Sequence, residues 1–341
     1  MTSYHLDIQQ KKLHYLISGE GPPIMLFHAS PMSSASLRPL IDQLSKRFTV
    51  IAPDTPGYGF SESPNEQPSD IIEYVNVFEA FRQELGIEKM ALYGTATGAQ
   101  IAIRYGLTYP SVIEQIFLDN TAHFTLEEKT DIFEHYFPDL TPTRDGGHLS
   151  VVWEITDNLF RYFPWCFQRE QFKLSPPVPP PSVLHMVALE YLKAGAQYDW
   201  AYRAAFLHED RKYIADLTVP TLIFRWEQSI LTSYTDRIFE IDLPEIVNYK
   251  MITKEEDRHQ SMADAIARTY RGMPVVLTSR GDEMTKEEIP ILDLDFPSPE
   301  PSGKYLLEAW NQLNNTIGKT TSLEQLSRIY IQWASTNRDK K

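Results

Sequence analysis

The sequence predicts an α/β fold in which a mostly parallel central sheet carries helices on both faces and an inserted helical cap. Two observations lead to this prediction. In the first third of the chain, short apolar runs alternate with stretches of helical periodicity. From residue 121 to about residue 217, an aromatic and proline-rich stretch interrupts that alternation, and the strand pattern then resumes. Alternating strands and helices build parallel sheets, so functional groups are expected at the carboxyl ends of the strands.

The individual elements follow from apolar runs of strand length and from longer amphipathic segments. Strands are predicted over residues 13–18, 23–28, 49–53, 89–94, 113–119, 219–224 and 246–252. Helices are predicted over residues 34–47, 71–85, 96–109 and 259–271. Toward the end of the chain we expect one more strand at 274–279, irregular chain at 289–302, and closing helices at 305–315 and 322–336.

This pattern divides the chain into three parts. Residues 1–120 and 218–285 form the predicted core, residues 121–217 the helical cap, and residues 286–341 a C-terminal extension packed on the core. Within the cap, the proline run at 175–181 is expected to be an extended connector, because proline lacks the backbone N–H that helices and inner strands need.

Composition excludes several classes of function. The 341 residues are 42% hydrophobic and 23% charged, which is typical of a globular protein. The net charge of −14 disfavours nucleic acids and anionic membrane surfaces as partners. Cys166 is the single cysteine, so an intrachain disulfide and a cysteine-based metal site are ruled out. No secretory signal and no apolar stretch of membrane-spanning length is recognisable, so a cytoplasmic protein is expected.

Two loops that follow predicted strands carry a family resemblance. Residues 28–31 read His-Ala-Ser-Pro, and residues 53–61 read Pro-Asp-Thr-Pro-Gly-Tyr-Gly-Phe-Ser. This pair of loops, at this separation, resembles the α/β-hydrolase superfamily. The resemblance covers roughly residues 10–120 and 216–272 and implies a cap between them, as in esterases, epoxide hydrolases and haloalkane dehalogenases.

A third loop resembles the nucleophile elbow of that superfamily but departs from it at the decisive position. Residues 94–99 read Gly-Thr-Ala-Thr-Gly-Ala, so the small residues that the sharp turn requires are present. Ala96 stands where the family has its nucleophile, and a methyl group cannot attack a substrate. The resemblance also implies an oxyanion hole formed by the backbone N–H groups of Ala29 and Thr97.

The resemblance implies positions for the remaining catalytic groups. His259 follows the last core strand and opens a helix, which is the place of the family's histidine. For the acid we prefer Asp119, after the strand at 113–119, over Glu227, because Ser229 occupies the more usual position. His28 and His148 are further candidates for the site, and we expect no metal and no cofactor.

The predicted cap is rich in aromatic side chains at helical spacing. Most are expected in its core, and some are expected to line a largely apolar pocket over the catalytic face. The residues concerned include Trp153, Phe160, Tyr162, Phe163, Trp165, Tyr198, Trp200, Tyr202 and Phe206.

Three functions remain open from the sequence. The first is an enzyme acting on a small, largely apolar substrate such as an ester or lactone, with the nucleophile replaced by Ala96 in this chain. The second takes Ala96 as native and His259 as the base of a lyase, cyclase, isomerase or decarboxylase. The third is a ligand-binding protein derived from a hydrolase. The expected partner is an uncharged or weakly polar small molecule, and a homodimer through the cap or the tail is also considered.

Overall fold

A computed structural model describes residues 1–174 and 177–284, and Met1–Met284 cluster as one compact unit. Its described strands form one sheet in the order β8-β7-β6-β5-β3-β4-β2-β1-β9. The strands are β1 Thr2–Ile8, β2 Lys11–Ser18, β3 Pro23–Phe27, β4 Thr49–Pro53, β5 Met90–Thr95, β6 Ile113–Asp119, β7 Thr221–Trp226, β8 Val247–Ile252 and β9 Asp282–Glu283.

The larger part of the sheet is parallel. Strands β4, β3, β5, β6, β7 and β8 pair in parallel, whereas β2, β1 and β9 extend the sheet in antiparallel fashion. All residues of β3, β4 and β5 are buried, as expected for strands covered on both faces. The predicted α/β fold with a mostly parallel sheet is therefore confirmed.

Helices cover both faces of this sheet. The helices of the described chain are α1 Arg38–Leu44, α2 Ile72–Glu84, α3 Thr97–Thr108, α4 Leu126–His135, α5 Gly147–Leu159, α6 Pro181–Ala194, α7 Trp200–His208, α8 Lys212–Ala215, α9 Thr232–Asp236 and α10 Arg258–Thr269. One hydrophobic cluster contains residues of α1 and α10, such as Ile41 and Ile266, and the other contains residues of α2 and α3, such as Phe78 and Ile101. None of these helices is long and apolar enough to cross a membrane.

The helices α4 to α8 all lie between β6 and β7 in the sequence. The first of them begins with a capping box, in which Thr125 and Glu128 each satisfy a backbone N–H of the other. Helix α7 packs against α3, the helix that follows the elbow. This contact brings the predicted cap over the carboxyl ends of β5 and β6, although the domain boundaries themselves stay a prediction.

Several expected elements differ from the structure. Residues 2–8 form a strand that the sequence analysis missed. The strand predicted at 274–279 is wrong, because Val275 and Thr278 hydrogen-bond to loop carbonyls of Gly21 and Leu85 rather than to a strand. Pro181, expected as the last residue of the extended connector, is instead the first residue of α6. Proline is tolerated there because the backbone N–H at the first position of a helix has no partner within the helix.

The remaining C-terminal predictions lie outside the described residues. These are the irregular chain at 289–302, the helices at 305–315 and 322–336, and the extension at 286–341. Residues 175 and 176 of the proline run also lie outside.

Candidate active site

Ala96 lies at a sharp bend between β5 and α3. Its φ of 51° and ψ of −113° place a non-glycine residue in a backbone conformation that side chains rarely adopt. The bend is held by hydrogen bonds from Ala96 N to the carbonyl of Asp119 (3.1 Å) and from Ala99 N to the carbonyl of Ala96 (2.9 Å). This is the strained strand-turn-helix geometry that a nucleophile elbow requires.

The small residues around Ala96 are required by close packing. A methyl group at Gly98 would lie 2.2 Å from the carbonyl oxygen of Phe27, and one at Gly94 would lie 2.1 Å from the carbonyl oxygen of Gly98. Both distances are far below van der Waals contact. The pattern of small residues in the sequence therefore reflects how tightly α3 sits on β3 and β5.

A pocket of about 70 Å³ extends from the elbow toward the helices of the predicted cap. Its lining is mostly apolar, with a few polar side chains. The lining residues are Ala96, Thr97, Gln100, Asn120, Ala122, Phe124, Phe163, Tyr202, Ala205, Phe206, Glu209 and Leu231. Phe163, Tyr202 and Phe206 belong to the aromatic set that the sequence singled out as candidate pocket residues.

The predicted oxyanion turn lies directly after β3. Thr97 is the first residue of α3, where a backbone N–H has no partner within the helix, and it lines the pocket. Ala29 is partly exposed. His28 is buried, donates from Nδ1 to the carbonyl of Ala29 (3.0 Å) and accepts from the backbone N–H of Thr55 (2.9 Å). Burial lowers the pKa of His28, so the ring is a neutral link between two loops.

The loop at 53–61 is organised by a buried carboxylate. Asp54 accepts hydrogen bonds from His14 Nδ1 (2.7 Å), from Ser34 N (2.7 Å) and from Phe60 N (2.8 Å). Burial alone would raise the pKa of Asp54, but the His14 ring and the backbone donors lower it well below its usual range. Asp54 therefore fixes the shape of this loop.

Asp119 is buried at the end of β6, where the sequence places the acid. Oxygen Oδ2 forms an ion pair with Arg258 and accepts from Tyr93 Oη (2.9 Å) and from Asn120 Nδ2 (3.4 Å). Oxygen Oδ1 is buried without a hydrogen-bond partner in the described chain. Arg258 in turn stacks on Trp226, with its guanidinium carbon 4.4 Å from the ring centroid.

His259 lies in the first turn of α10, next to Arg258, and is half-buried. Among the described residues, no group hydrogen-bonds to its imidazole. Burial lowers the pKa of His259, and the neighbouring Arg258 lowers it further, whereas Asp257 and Asp119 act in the opposite direction. Asp119 thus influences His259 electrostatically, whereas its ion-pair partner is Arg258. The catalytic roles of Asp119 and His259 stay predictions.

The other candidate residues make local contacts. Glu227 is exposed and accepts from the backbone N–H of Lys254 (3.2 Å). Ser229 donates to Asn120 Oδ1 (2.6 Å), which positions the Asn120 side chain at the pocket. His148 accepts from the backbone N–H of Thr143 (3.1 Å) at the start of α5 and does not line the pocket. Within 1–174 and 177–284, no group of three His, Cys, Asp or Glu residues could hold a metal ion.

Three polar residues of the site were missed by the sequence analysis. Glu209 and Gln100 line the pocket, and Arg258 holds Asp119. Gln100 lies one helical turn after Ala96, so the spacing of four residues was an available signal. No comparable pattern marks Glu209, because its place depends on how α7 packs on α3.

Comparison with known proteins identifies the family. A family model described as the alpha/beta hydrolase fold matches residues 22–242, which is more than half of the chain. The chain belongs to the α/β-hydrolase family. The resemblance inferred from the three loops is thereby confirmed.

Individual α/β-hydrolase relatives agree with this assignment. The chain is 32% identical over 115 residues to haloalkane dehalogenase 2 of Mycobacterium tuberculosis (34% of this chain, 40% of that protein). It is 30% identical over 124 residues to a soluble epoxide hydrolase of Corynebacterium sp. (35% and 41%). The crystal structure of epoxide hydrolase A from Mycobacterium thermoresistibile aligns with a TM-score of 0.60 at 18% identity, covering 80% of this chain and 98% of that one. The matched segments span about 40% of the curated relatives' length.

As an α/β-hydrolase, the chain keeps the elbow bend and the helix N-terminus that faces the pocket, but it has a methyl group at the apex. Because a methyl group is not a nucleophile, residue 96 of this chain cannot form a covalent intermediate with a substrate. The arrangement can bind an apolar molecule, present backbone and side-chain hydrogen-bonding groups to it, and shield it from water.

Proposed function

We propose that this α/β-hydrolase has a hydrolase site for a small, largely apolar organic substrate in which the nucleophile is replaced by Ala96. The observation that carries the proposal is the position of Ala96, at a strained bend that forms one wall of the capped pocket. A non-glycine residue in such a conformation costs about 1–3 kcal/mol, and strain of this kind concentrates at functional positions. The oxyanion candidates Ala29 and Thr97 and the base candidate His259 belong to the same proposal.

The named relatives support a hydrolytic ancestry of the site. One is a haloalkane dehalogenase and another an epoxide hydrolase, so esters, epoxides and alkyl halides are the substrate classes to test. The apolar walls formed by Phe124, Phe206 and Leu231 favour an uncharged substrate body.

A second candidate function is favoured by one specific contact. Asp119 forms its ion pair with Arg258, whereas a hydrolytic triad would have it orient His259. Together with Ala96, this contact favours a site that binds its ligand, or that uses His259 as a simple base, without a covalent intermediate.

Restoring a nucleophile tests the first candidate. Ala96→Ser should form an acyl-enzyme with p-nitrophenyl butyrate, and Ala96→Asp should form an ester with an alkyl halide or an epoxide, because the elbow aims residue 96 at the pocket. Intact mass spectrometry should detect one adduct per chain, and stopped-flow absorbance should show a burst of p-nitrophenol with the serine variant.

Ala205→Ser is the matched control, because Ala205 lines the same pocket but belongs to α7 and not to the elbow. We expect no adduct with this variant or with the parent chain. Folded Ala96→Ser and Ala96→Asp variants that both stay unmodified would exclude the proposal. Turnover by the parent chain that is lost in His259→Ala would instead support the second candidate.

A further inference from the structure

The mostly apolar lining of the pocket includes two polar side chains, Glu209 and Gln100. We propose that these two side chains recognise a hydroxyl group, so that the pocket selects an uncharged molecule with an apolar body and one alcohol. This inference rests on the proposed function, since it names the ligand class of the same pocket.

Glu209 is a carboxylate fixed in place by three donors. His123 Nδ1 donates to Oε1 (2.8 Å), and Lys129 Nζ (2.8 Å) and the backbone N–H of Phe124 (3.2 Å) donate to Oε2. The side chain of Glu209 is only 4% exposed. A carboxylate has about four acceptor positions, so one remains for a donor from the pocket.

Gln100 is oriented by the residue next to Glu209. His208 Nδ1 lies 3.2 Å from Gln100 Oε1, and because an amide oxygen can only accept, the His208 ring is the donor. Burial lowers the pKa of His208 to about 4, so the ring is neutral at pH 7. The side-chain carbonyl of Gln100 is thus occupied by His208, and the side-chain amino group of Gln100 is available as a hydrogen-bond donor.

An alcohol matches this pair of groups. Its hydroxyl can donate to Glu209 and accept from the amino group of Gln100. A ligand carboxylate would be repelled by the negative charge of Glu209. Binding would then require that one of the two carboxylates become protonated. A ligand cation gains little, because Lys129 already compensates the charge of Glu209. The walls formed by Phe124 and Phe206 suit an apolar body.

Three probes with one carbon skeleton test the inference: 2-phenylethanol, its methyl ether, and phenylacetate. Titration of the full parent chain by ¹H–¹⁵N NMR should give a dissociation constant for the alcohol about tenfold below that of the ether, which lacks the donor, and weakest binding for phenylacetate. Glu209→Gln should bring the alcohol and the ether to within about threefold of each other, whereas Gln100→Met should weaken both, because an ether oxygen also accepts from the Gln100 amino group.

Two further variants separate recognition from structure. Ala205→Trp fills the pocket and should abolish binding of all three probes. Lys129→Met removes the ion pair without altering the lining, so the preference for the alcohol should persist even if the variant is less stable. If Glu209→Gln does not fold, Gln100→Met tests the other half of the assignment, because it leaves the ion pair intact and should weaken the alcohol and the ether alike; unchanged binding of both would contradict it.

The outcomes distinguish this inference from the proposed function. Equal binding of alcohol and ether to the parent chain, or tightest binding of phenylacetate, would overturn the hydroxyl assignment and leave the pocket as a binding site. Binding of none of the three probes would overturn this inference, whereas the proposed function is excluded separately, by Ala96→Ser and Ala96→Asp variants that both stay unmodified.

Discussion

At the scale of single residues, Asp119 and Arg258 distinguish this site from a complete triad. The Asp119 carboxylate is 1% exposed, yet one of its oxygens has no hydrogen-bond partner among the described residues. A buried polar atom left unpaired costs about 1–3 kcal/mol, so this oxygen offers a position for a donor. Asp119 in turn raises the pKa of the His259 imidazole electrostatically.

Replacing Arg258 tests how this pair controls His259. In Arg258→Met, the pKa of His259 should rise, because the cation that lowers it is removed while Asp119 keeps its opposing effect. NMR titration of the histidine Cε1–H signals measures the change. Arg258→Lys retains the charge and should leave the pKa near that of the parent. The same pKa in the methionine variant and the parent would contradict an electrostatic role of Arg258.

The sequence was informative about residues whose position follows from local chain geometry. Ala96 could be placed at the elbow because the small residues around it form a fixed local pattern. Glu209 could not be predicted, because its contacts with His123 and Lys129 join segments about 80 residues apart. Arg258 was overlooked because its partner, Asp119, precedes the predicted cap in the sequence whereas Arg258 follows it.

At the scale of elements, the buried strands were the easiest to predict. The strands at 49–53 and 113–119 have the predicted bounds. The first of them is mainly apolar and fully buried, which is typical of parallel strands covered on both faces. β1 was missed because its sequence, Thr-Ser-Tyr-His-Leu-Asp-Ile, mixes polar and apolar residues. Residues 274–279 contain apolar side chains, but Val276 is 90% exposed, so apolar content alone was misleading there.

The contact of α3 with β3 leads to a prediction about stability. Gly98→Ala should lower the free energy of unfolding by about 1–3 kcal/mol, because the added methyl group would overlap the carbonyl oxygen of Phe27. Urea denaturation followed by circular dichroism measures it. Gly147→Ala is the control, since its nearest neighbours would lie at 3.4 Å and α5 begins there. Equal midpoints for both variants would contradict the close packing inferred at Gly98.

At the scale of the whole molecule, the fold class was predictable because the order of strands and helices repeats along the chain. The place of Glu209 in the pocket lining was not, because it depends on the packing of α7 on α3. The division into core and cap, the homodimer and the cytoplasmic location stay predictions. Static light scattering of the purified chain would test the homodimer directly.

The buried histidines predict how overall stability depends on pH. The pKa of His208 is about 4 in the folded chain, mainly because of burial, against about 6.5 when unfolded. The unfolded chain therefore binds the proton first as pH falls below 6.5. Stability should decrease by about 1.4 kcal/mol per pH unit between roughly pH 6 and 4.5 from this residue alone.

Urea denaturation at pH 7, 6 and 5 measures this dependence. His208→Gln removes the titrating group but can still donate to Gln100, so its free energy of unfolding should change less with pH than that of the parent. Parallel pH profiles for the two proteins would show that His208 titrates normally. The neutral His28 acts in the same direction in both proteins and therefore cancels in the comparison.

The pairing of β1 with β9 has a consequence for synthesis of the chain. Tyr4 and His5 pair with Glu283 and Asp282, so this part of β1 gains its second neighbouring strand only after residues 282 and 283 have been translated. Until then, β1 is an open edge that can template pairing with other chains. Chains that stop before residue 282 therefore leave the backbone of Tyr4 and His5 unpaired on this side, and we expect them to aggregate more readily than chains that contain β9.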